Sequence, residues 1–376
     1  MPSHIYVNEH IANLSLSSIP QDTRIRDFHK TLPHYAPTPL VSLPAVAKEL
    51  GVAHVLLKDE STRLGLAAFK ILGASWAIYR TLVQRLNLTQ SNGIESIIPL
   101  DVLASAAQAE DLVLYAATDG NHGRAVARMA RYLGINAMIL VPQFLDKEAK
   151  SKIAAEGADV EVYEGDYDGT VLKTKQTAKA HEAGKGILIS DTSLEGDKDE
   201  IPEWIVDGYQ TMFDEIEEQV KKIVSQKGVV SHVVTPVGVG SLAQSVVKHF
   251  RRCPKKVSIV AVEPIAAACL QSSLKAGEMR SVATGYTICS GMCCGTLSAN
   301  GWPVLKAGVA FSVAVEDDEV VDALGELEKF DVKAGPCGAA ALAGLKQLAA
   351  YGAGDLMPDS VVILLCTEGK RGYEVK

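Results

Sequence analysis

The stretch DLVLYAATDGNHGRAVARMARYLG, from Asp111 to Gly134, contains in one unit the pattern that decides the fold. An unbroken apolar run is followed by a glycine turn and then by a longer segment with helical periodicity. Strands of a parallel sheet are covered on both faces, so they appear in a sequence as continuous apolar runs. The stretch therefore predicts a strand, a turn and a helix of a βαβ unit.

The same pattern recurs along the rest of the chain. The further apolar runs that we interpret as strands are INAMILVP, ADVEVYEG, GILIS, SHVVTP, VSIVAVEP, GVAFSVAV and SVVILLC. They fall into two sets, which predicts an α/β fold with two parallel-rich twisted sheets flanked by helices. With 376 residues the chain is long enough to form two domains.

Charge and composition exclude several classes of protein. Lys and Arg number 37 against 45 Asp and Glu, and a net charge of -8 argues against nucleic acid or an anionic membrane as partner. Seven scattered cysteines do not form a disulfide framework and indicate a reducing cytoplasm, and the N-terminus lacks the blocks of a signal peptide. Cys289, Cys293 and Cys294 lack the paired spacing of a zinc site. We therefore expect a cytoplasmic protein without a membrane span or a zinc site; no metal ligands are recognisable in the sequence, and a requirement for a metal ion stays open.

A second glycine turn, TPVGVGSLAQ from Thr235 to Gln244, has the features of an anion site. Its glycines allow close backbone approach, Ser241 adds a donor, and the amides at the start of a following helix favour a phosphate. The segment 238–243 also matches the G-x-G-x-x-A fingerprint of dinucleotide binding, with Glu263 at the end of the next strand. A third interpretation is a tight turn that only needs glycine.

Polar residues in the turn of the first stretch lie where open α/β sheets bind ligands. Asn121 can donate to a phenolate oxygen without a charge of its own. Asp119 is either an N-cap or a catalytic base, and His122 is interpreted as a structural histidine. Lys70, among the small residues of LAAFKILGA, is either a surface charge or a reactive lysine held in a partly dry place.

The order of these motifs resembles the fold type II pyridoxal-phosphate enzymes, the superfamily of tryptophan synthase β-subunit and threonine dehydratase. The likeness is carried by Lys70 in LAAFKILGA, Asn121 in DGNHG, the GVGSL turn and the terminal LLCTEG. Within the superfamily, KDESTRLGLAAFK, TDGNHGR, SDTSLEG and VGVGSLA look like diaminopropionate ammonia-lyase, from about residue 37 to residue 369. The resemblance implies a large cofactor-binding domain from residues 1–72 and 187–376, a smaller inserted domain from 73–186, and a homodimer.

The resemblance also implies how pyridoxal 5'-phosphate would be bound. Lys70 would form a Schiff base with the cofactor aldehyde, and Asn121 would bind the phenolic oxygen. The hydroxyl of Thr367 would face the pyridine nitrogen without forcing its protonation, which favours elimination of a β-substituent. The cofactor phosphate would be held by the backbone of Gly238, Val239, Gly240, Ser241 and Leu242.

By the same likeness, the reaction is an α,β-elimination on a 2,3-diaminopropionate-like amino acid that gives pyruvate and ammonia through aminoacrylate. Asp119 and Asp191 would take the Cα proton from opposite enantiomers, while Lys70 would protonate the leaving amine. Asp191 could instead cap the loop before Thr192. The alternative functions are a serine or threonine dehydratase, a β-replacement synthase, a NAD-dependent oxidoreductase built on the Glu263 motif, and a binding protein on the same fold.

Several residues depart from the ammonia-lyase pattern at positions where a substrate would be recognised. Because a desolvated ammonium needs an acidic partner, the loss of acidic residues there leaves the substrate open. The departures are Ala67, Leu194, Asp197, Thr296, Leu297, Pro336 and Cys337.

Overall fold

The structure is a computed structural model that describes residues 4–12, 22–88, 96–118, 120–224, 229–252 and 257–370. The chain divides into two compact units. The first consists of residues 1–21, 37–69 and 212–376, and the second of residues 22–36 and 70–211. The predicted inserted domain, residues 73–186, lies within the second unit, which is longer at both ends. The predicted domain boundaries stay a prediction.

Strands and helices alternate along most of the chain. The strands are β1 Ile5–Val7, β2 Leu40–Ser42, β3 His54–Asp59, β4 Val113–Ala117, β5 Asn136–Pro142, β6 Asp159–Tyr163, β7 Gly186–Leu188, β8 Val230–Pro236, β9 Ser258–Pro264, β10 Phe311–Val315 and β11 Val361–Cys366. The helices are α1 Arg24–Thr31, α2 Pro44–Leu50, α3 Lys70–Arg85, α4 Leu100–Ala109, α5 Asn121–Leu133, α6 Lys147–Ala154, α7 Tyr167–Ala180, α8 Ile201–Gly208, α9 Gln210–Ile223, α10 Ser241–Phe250, α11 Cys269–Ala276, α12 Trp302–Gly308, α13 Asp317–Glu328 and α14 Pro336–Ala350. Among the described helices, none is long and apolar enough to cross a membrane.

The first unit is built on a seven-stranded sheet in the order β1-β10-β9-β8-β11-β3-β2. Its five inner strands pair in parallel, and β1 and β2 close the two edges in antiparallel pairs. Every residue of β11 is buried, as expected for an apolar strand covered on both faces. The predicted α/β fold with parallel-rich sheets is confirmed.

The second unit contains a four-stranded parallel sheet in the order β6-β5-β4-β7. Helix α5 begins shortly after β4, and the Thr118 hydroxyl between them accepts the amides of Gly120 at 2.8 Å and Gly123 at 2.9 Å. Gly123 has to be glycine, since a Cβ there would lie 2.6 Å from the Ile139 side chain. The strand and the helix predicted from the stretch 111–134 are therefore present as β4 and α5.

A close crossing of α3 and α8 determines where Lys70 lies in the second unit. A Cβ on Gly73 would lie 2.7 Å from the carbonyl oxygen of Ile205, so only glycine allows this approach. His29 is fully buried and donates from Nε2 to the carbonyl oxygen of Leu72 at 3.0 Å. Both contacts lie within four residues of Lys70, the first residue of α3, and therefore hold the start of that helix in place.

Four fully buried charges lie together in the first unit. Glu215 Oε2 accepts from Lys58 Nζ at 2.8 Å and from Arg63 Nη2 at 2.7 Å, and Arg63 also pairs with Glu60 at 2.7 Å. The Thr38 hydroxyl donates to Glu60 at 2.6 Å. The two positive and two negative charges balance, as buried charges must when water is excluded. This group, which we call the buried charge cluster, was not predicted from the sequence.

Candidate active site

Lys70 and Asp191 form an ion pair in the second unit. Lys70 Nζ donates to Asp191 Oδ2, although the two residues are 121 positions apart in the chain. The Lys70 side chain is 16% exposed and that of Asp191 is 5% exposed. The structure therefore places a lysine amine beside a carboxylate in a largely dry environment, which is what a reactive lysine requires.

The charge state of Asp191 depends on its neighbours. Burial raises the pKa of the carboxyl, but the neighbouring Lys70 and, after it, His122 lower it and hold the pKa at about 2. Asp191 is therefore ionised at neutral pH. If Lys70 lost its positive charge, burial would become the larger influence and the pKa of Asp191 would rise.

The loop after β7 presents the Asp191 side chain to Lys70. In this loop the Thr192 amide donates to the hydroxyl of Ser190 at 3.3 Å. Further along, Asp197 accepts the Leu194 amide at 3.0 Å and pairs with Lys175 at 2.6 Å on the surface. Leu194 and Asp197, two of the residues that depart from the ammonia-lyase pattern, are therefore joined by a hydrogen bond within one turn.

The DGNHG turn brings two more predicted residues to the second unit. Asn121 is the first residue of α5 and is partly exposed. His122 is 2% exposed, and its Nε2 lies 2.8 Å from the carbonyl oxygen of Ile189. Asp119, the other predicted base, lies outside the described residues.

The turn predicted to bind phosphate lies in the first unit, between β8 and α10. Gly240 precedes α10 with φ at 95°, a left-handed conformation that favours glycine. As a glycine, Gly240 has no side chain with which to cap this ten-residue helix. Amides at a helix start, together with the helix dipole, suit an anion, so the five residues Gly238, Val239, Gly240, Ser241 and Leu242 fit a phosphate group.

Thr367 lies next to the chain segment that leads into Lys70. The amide of Phe69 donates to the carbonyl oxygen of Thr367 at 3.2 Å, and the amide of Gly369 donates to that of Ala67 at 2.9 Å. Backbone hydrogen bonds therefore join the predicted Thr367 position to the segment 67–69. Ala67, one of the departures, belongs to this backbone pairing.

Glu368 supports the same segment and was not predicted from the sequence. It is buried, and one of its carboxylate oxygens accepts the amide of Cys337 at 3.2 Å near the start of α14. The departure at Cys337 thus contributes a backbone amide to this contact. Glu368 can be recognised in the sequence as a carboxylate beside Gly369. Its partner Cys337 lies 31 positions away, so the contact between them cannot be recognised there.

Glu263 has a different role from the one that dinucleotide binding requires. It is fully buried and accepts the amides of Leu270 at 2.7 Å and Gln271 at 2.8 Å, at the start of α11. Burial raises its pKa to about 7 despite these hydrogen bonds. A carboxyl that caps a helix inside the protein is closed to a ribose, which removes the basis of the oxidoreductase alternative.

Comparison with known proteins points to one family. A family model described as pyridoxal-phosphate dependent enzyme matches residues 31–367. Diaminopropionate ammonia-lyase of Escherichia coli is 36% identical over 304 residues, covering 80% of this chain and 72% of that protein. L-threonine dehydratase of Corynebacterium glutamicum is 26% identical over 343 residues, covering 89% of this chain and 67% of that protein. The crystal structure of the Escherichia coli ammonia lyase with an aminoacrylate-PLP azomethine intermediate matches with a TM-score of 0.83 at 30% identity, covering 97% and 93% of the two chains.

Proposed function

This chain belongs to the pyridoxal-phosphate dependent enzyme family, and on that basis we propose that it is an ammonia-lyase acting on 2,3-diaminopropionate or a close analogue. The observation that carries the proposal is the contact between Lys70 and Asp191. It pairs the amine that would bind the cofactor with a buried carboxylate that can receive a proton. The diaminopropionate ammonia-lyase relatives support the choice of substrate class.

The donor set of the chain fits pyridoxal phosphate. The turn 238–242 would offer the amides of a helix start to the phosphate, and Asn121 would offer its amide to the phenolic oxygen. Lys70 would offer its amine to the aldehyde, and Thr367 its hydroxyl to the pyridine nitrogen. When bound, the cofactor supplies an electron sink for the carbanion formed at the substrate Cα.

Asp191 and Lys70 move protons in this proposal. Once the Lys70 amine is neutral, the pKa of Asp191 rises through burial, and its carboxylate becomes a competent base for the Cα proton of one enantiomer. The hydrogen bond from Lys70 Nζ to Asp191 Oδ2 then provides a path for that proton to the amine. Lys70 passes it to the leaving β-amine, which departs as ammonia. The aminoacrylate product hydrolyses to pyruvate and a second ammonia.

We expect the holoenzyme to convert 2,3-diaminopropionate to pyruvate and ammonia in a ratio of one to two. The ratio follows from loss of both amino groups, whereas a dehydratase acting on serine releases one ammonia for each pyruvate. Coupled assays for pyruvate and ammonia measure both products, with serine and threonine as comparison substrates. A higher kcat/KM for serine or threonine would contradict the proposal in favour of a dehydratase, and a product that retains an added nucleophile would favour β-replacement.

The two-base proposal makes a separate prediction. Asp191→Asn is expected to lower kcat by about 10²–10⁴-fold for one enantiomer of diaminopropionate, the range for loss of a positioned base, and to spare the other. Asp119→Asn is expected to have the reciprocal effect. Steady-state kinetics with each pure enantiomer checks both variants, and each serves as the other's control. Equal losses on both enantiomers would refute the assignment of two bases.

Three features stay predictions from the sequence: the homodimer, the cytoplasmic location, and the effect on substrate choice of residues that depart from the ammonia-lyase pattern, such as Thr296 and Pro336. Elimination remains the proposed course of the reaction, with the preferred β-substituent open to the assays above.

A further inference from the structure

We propose that His122 is a positioning residue for Asp191, holding the loop that carries this carboxylate through its hydrogen bond to Ile189. The inference rests on the proposed function, which assigns the Cα proton of one enantiomer to Asp191. From the sequence, His122 was interpreted as a structural histidine. Its contacts and its burial indicate a more specific role.

The tautomer of His122 is determined by its hydrogen bond to Ile189. A carbonyl oxygen can only accept, so Nε2 carries the proton that it donates across 2.8 Å to the Ile189 oxygen. In the neutral ring, Nδ1 therefore carries the lone pair and can accept a proton. Ile189 precedes Asp191 by two residues, and its own amide donates to the carbonyl oxygen of Tyr115 at 2.8 Å. Both the carbonyl oxygen and the amide of Ile189 are therefore hydrogen-bonded, which holds the segment that leads to Asp191 in place.

The other nitrogen of His122 is buried without a partner. Nδ1 has no hydrogen-bonding partner among the described residues, although the side chain is 2% exposed. An unpaired buried polar atom destabilises a fold, and an aliphatic side chain of similar size would avoid that cost. A histidine needed only for packing would gain nothing from this nitrogen, whereas one whose Nε2 holds the loop before Asp191 gains that hydrogen bond in return.

Electrostatics connect His122 to Asp191 directly. Burial raises the pKa of Asp191, while its neighbours Lys70 on α3 and His122 on α5 lower it. His122 therefore lies close enough to the carboxylate to influence it, and its Nε2 at the same time holds the loop through the Ile189 oxygen.

Three variants of His122 separate positioning from general structure. His122→Gln can still donate to the Ile189 oxygen from its terminal amide, whereas His122→Asn is too short to reach it and His122→Leu has no donor. For the enantiomer impaired by Asp191→Asn, we expect kcat to fall by about tenfold in the leucine and asparagine variants, part of the 10²–10⁴-fold effect of a positioned base. The glutamine variant should recover part of that loss, with KM unchanged in all three.

The other enantiomer and a double variant provide the internal controls. Turnover of the enantiomer that does not use Asp191 should match the wild type, and His122→Leu should cause no further loss in the Asp191→Asn background. Equal losses on both enantiomers, or additive losses in the double variant, would overturn the proposal. If the leucine variant does not fold, the comparison of glutamine with asparagine decides the same question.

A measurement without turnover tests the geometry. Nitrogen-15 chemical shifts of histidine in the cofactor-free chain distinguish the two tautomers, and we expect the proton of His122 on Nε2. A proton on Nδ1 would overturn the proposed contact with the Ile189 oxygen. Because this readout needs no substrate, it stands apart from the substrate assignment: failure on diaminopropionate would reject the proposed function and leave the His122 result intact.

Discussion

Replacing Lys70 by alanine is expected to abolish the absorption band of the Schiff base between the cofactor and the protein, and to lower kcat by about 10³-fold or more. The variant removes the amine that would bind the cofactor and also the acid that protonates the leaving group, and a positioned acid or base alone contributes about 10²–10⁴-fold. The absorption spectrum of the purified protein and pyruvate production measure the two effects. A colourless wild-type holoprotein would contradict the cofactor assignment altogether.

Lys70→Arg is the matched control for this experiment. Arginine keeps a positive charge beside Asp191 and so preserves the ion pair, but its guanidinium cannot replace the amine in bonding to an aldehyde. We expect both variants to be inactive. We also expect the alanine variant to be the less stable one, because it leaves the buried Asp191 carboxylate without its main partner. An active arginine variant would show that Lys70 acts only through its charge.

Replacing Glu215 by alanine is expected to lower the free energy of unfolding by about 3–5 kcal/mol, the usual cost of breaking a buried ion pair by removing one partner. The variant leaves Lys58 and Arg63 in the buried charge cluster with one carboxylate, and the side chains of all three residues are fully buried. Burial lowers the pKa of Lys58 and thus opposes its charge, which Glu215 helps to maintain. Urea unfolding of the cofactor-free protein measures the loss.

Glu217 provides the control within the same helix. It pairs with His249 at 3.0 Å, but its side chain is 46% exposed, so Glu217→Ala should cost about 0–1 kcal/mol. If Glu215→Ala fails to fold, Glu215→Gln retains the shape and removes only the charge. Equal losses for the variants at Glu215 and Glu217 would show that burial does not govern these ion pairs.

The buried charge cluster also holds an unusual turn of the first unit in place. Arg63 belongs to a short 3₁₀ turn at residues 63–65, in which Leu64 adopts a left-handed backbone with φ at 50°. Such a conformation is unfavourable for leucine and persists where surrounding contacts impose it. The ion pairs of Arg63 provide such contacts.

The family and the fold were predictable from the sequence. Buried parallel strands need apolar residues on both faces, so runs such as SVVILLC are recognisable as strands from their residues alone. The turn at 238–242 was recognisable because glycines and a helix start are adjacent in the chain. The predicted membership in the pyridoxal-phosphate enzymes is confirmed, while the roles of the individual site residues stay predictions.

The sequence by itself determined the residues whose chemistry is local: Lys70 among small residues, Asn121 after a strand, and the glycine turn before α10. Only the tertiary structure decided that Lys70 meets Asp191, that His122 donates to Ile189, and that Glu215 joins Lys58 over 157 positions. The physical reason is that periodicity and turn chemistry act over a few neighbouring residues. Ion pairs, and the hydrogen-bond partners of a buried histidine, depend on packing between segments that are remote in the chain.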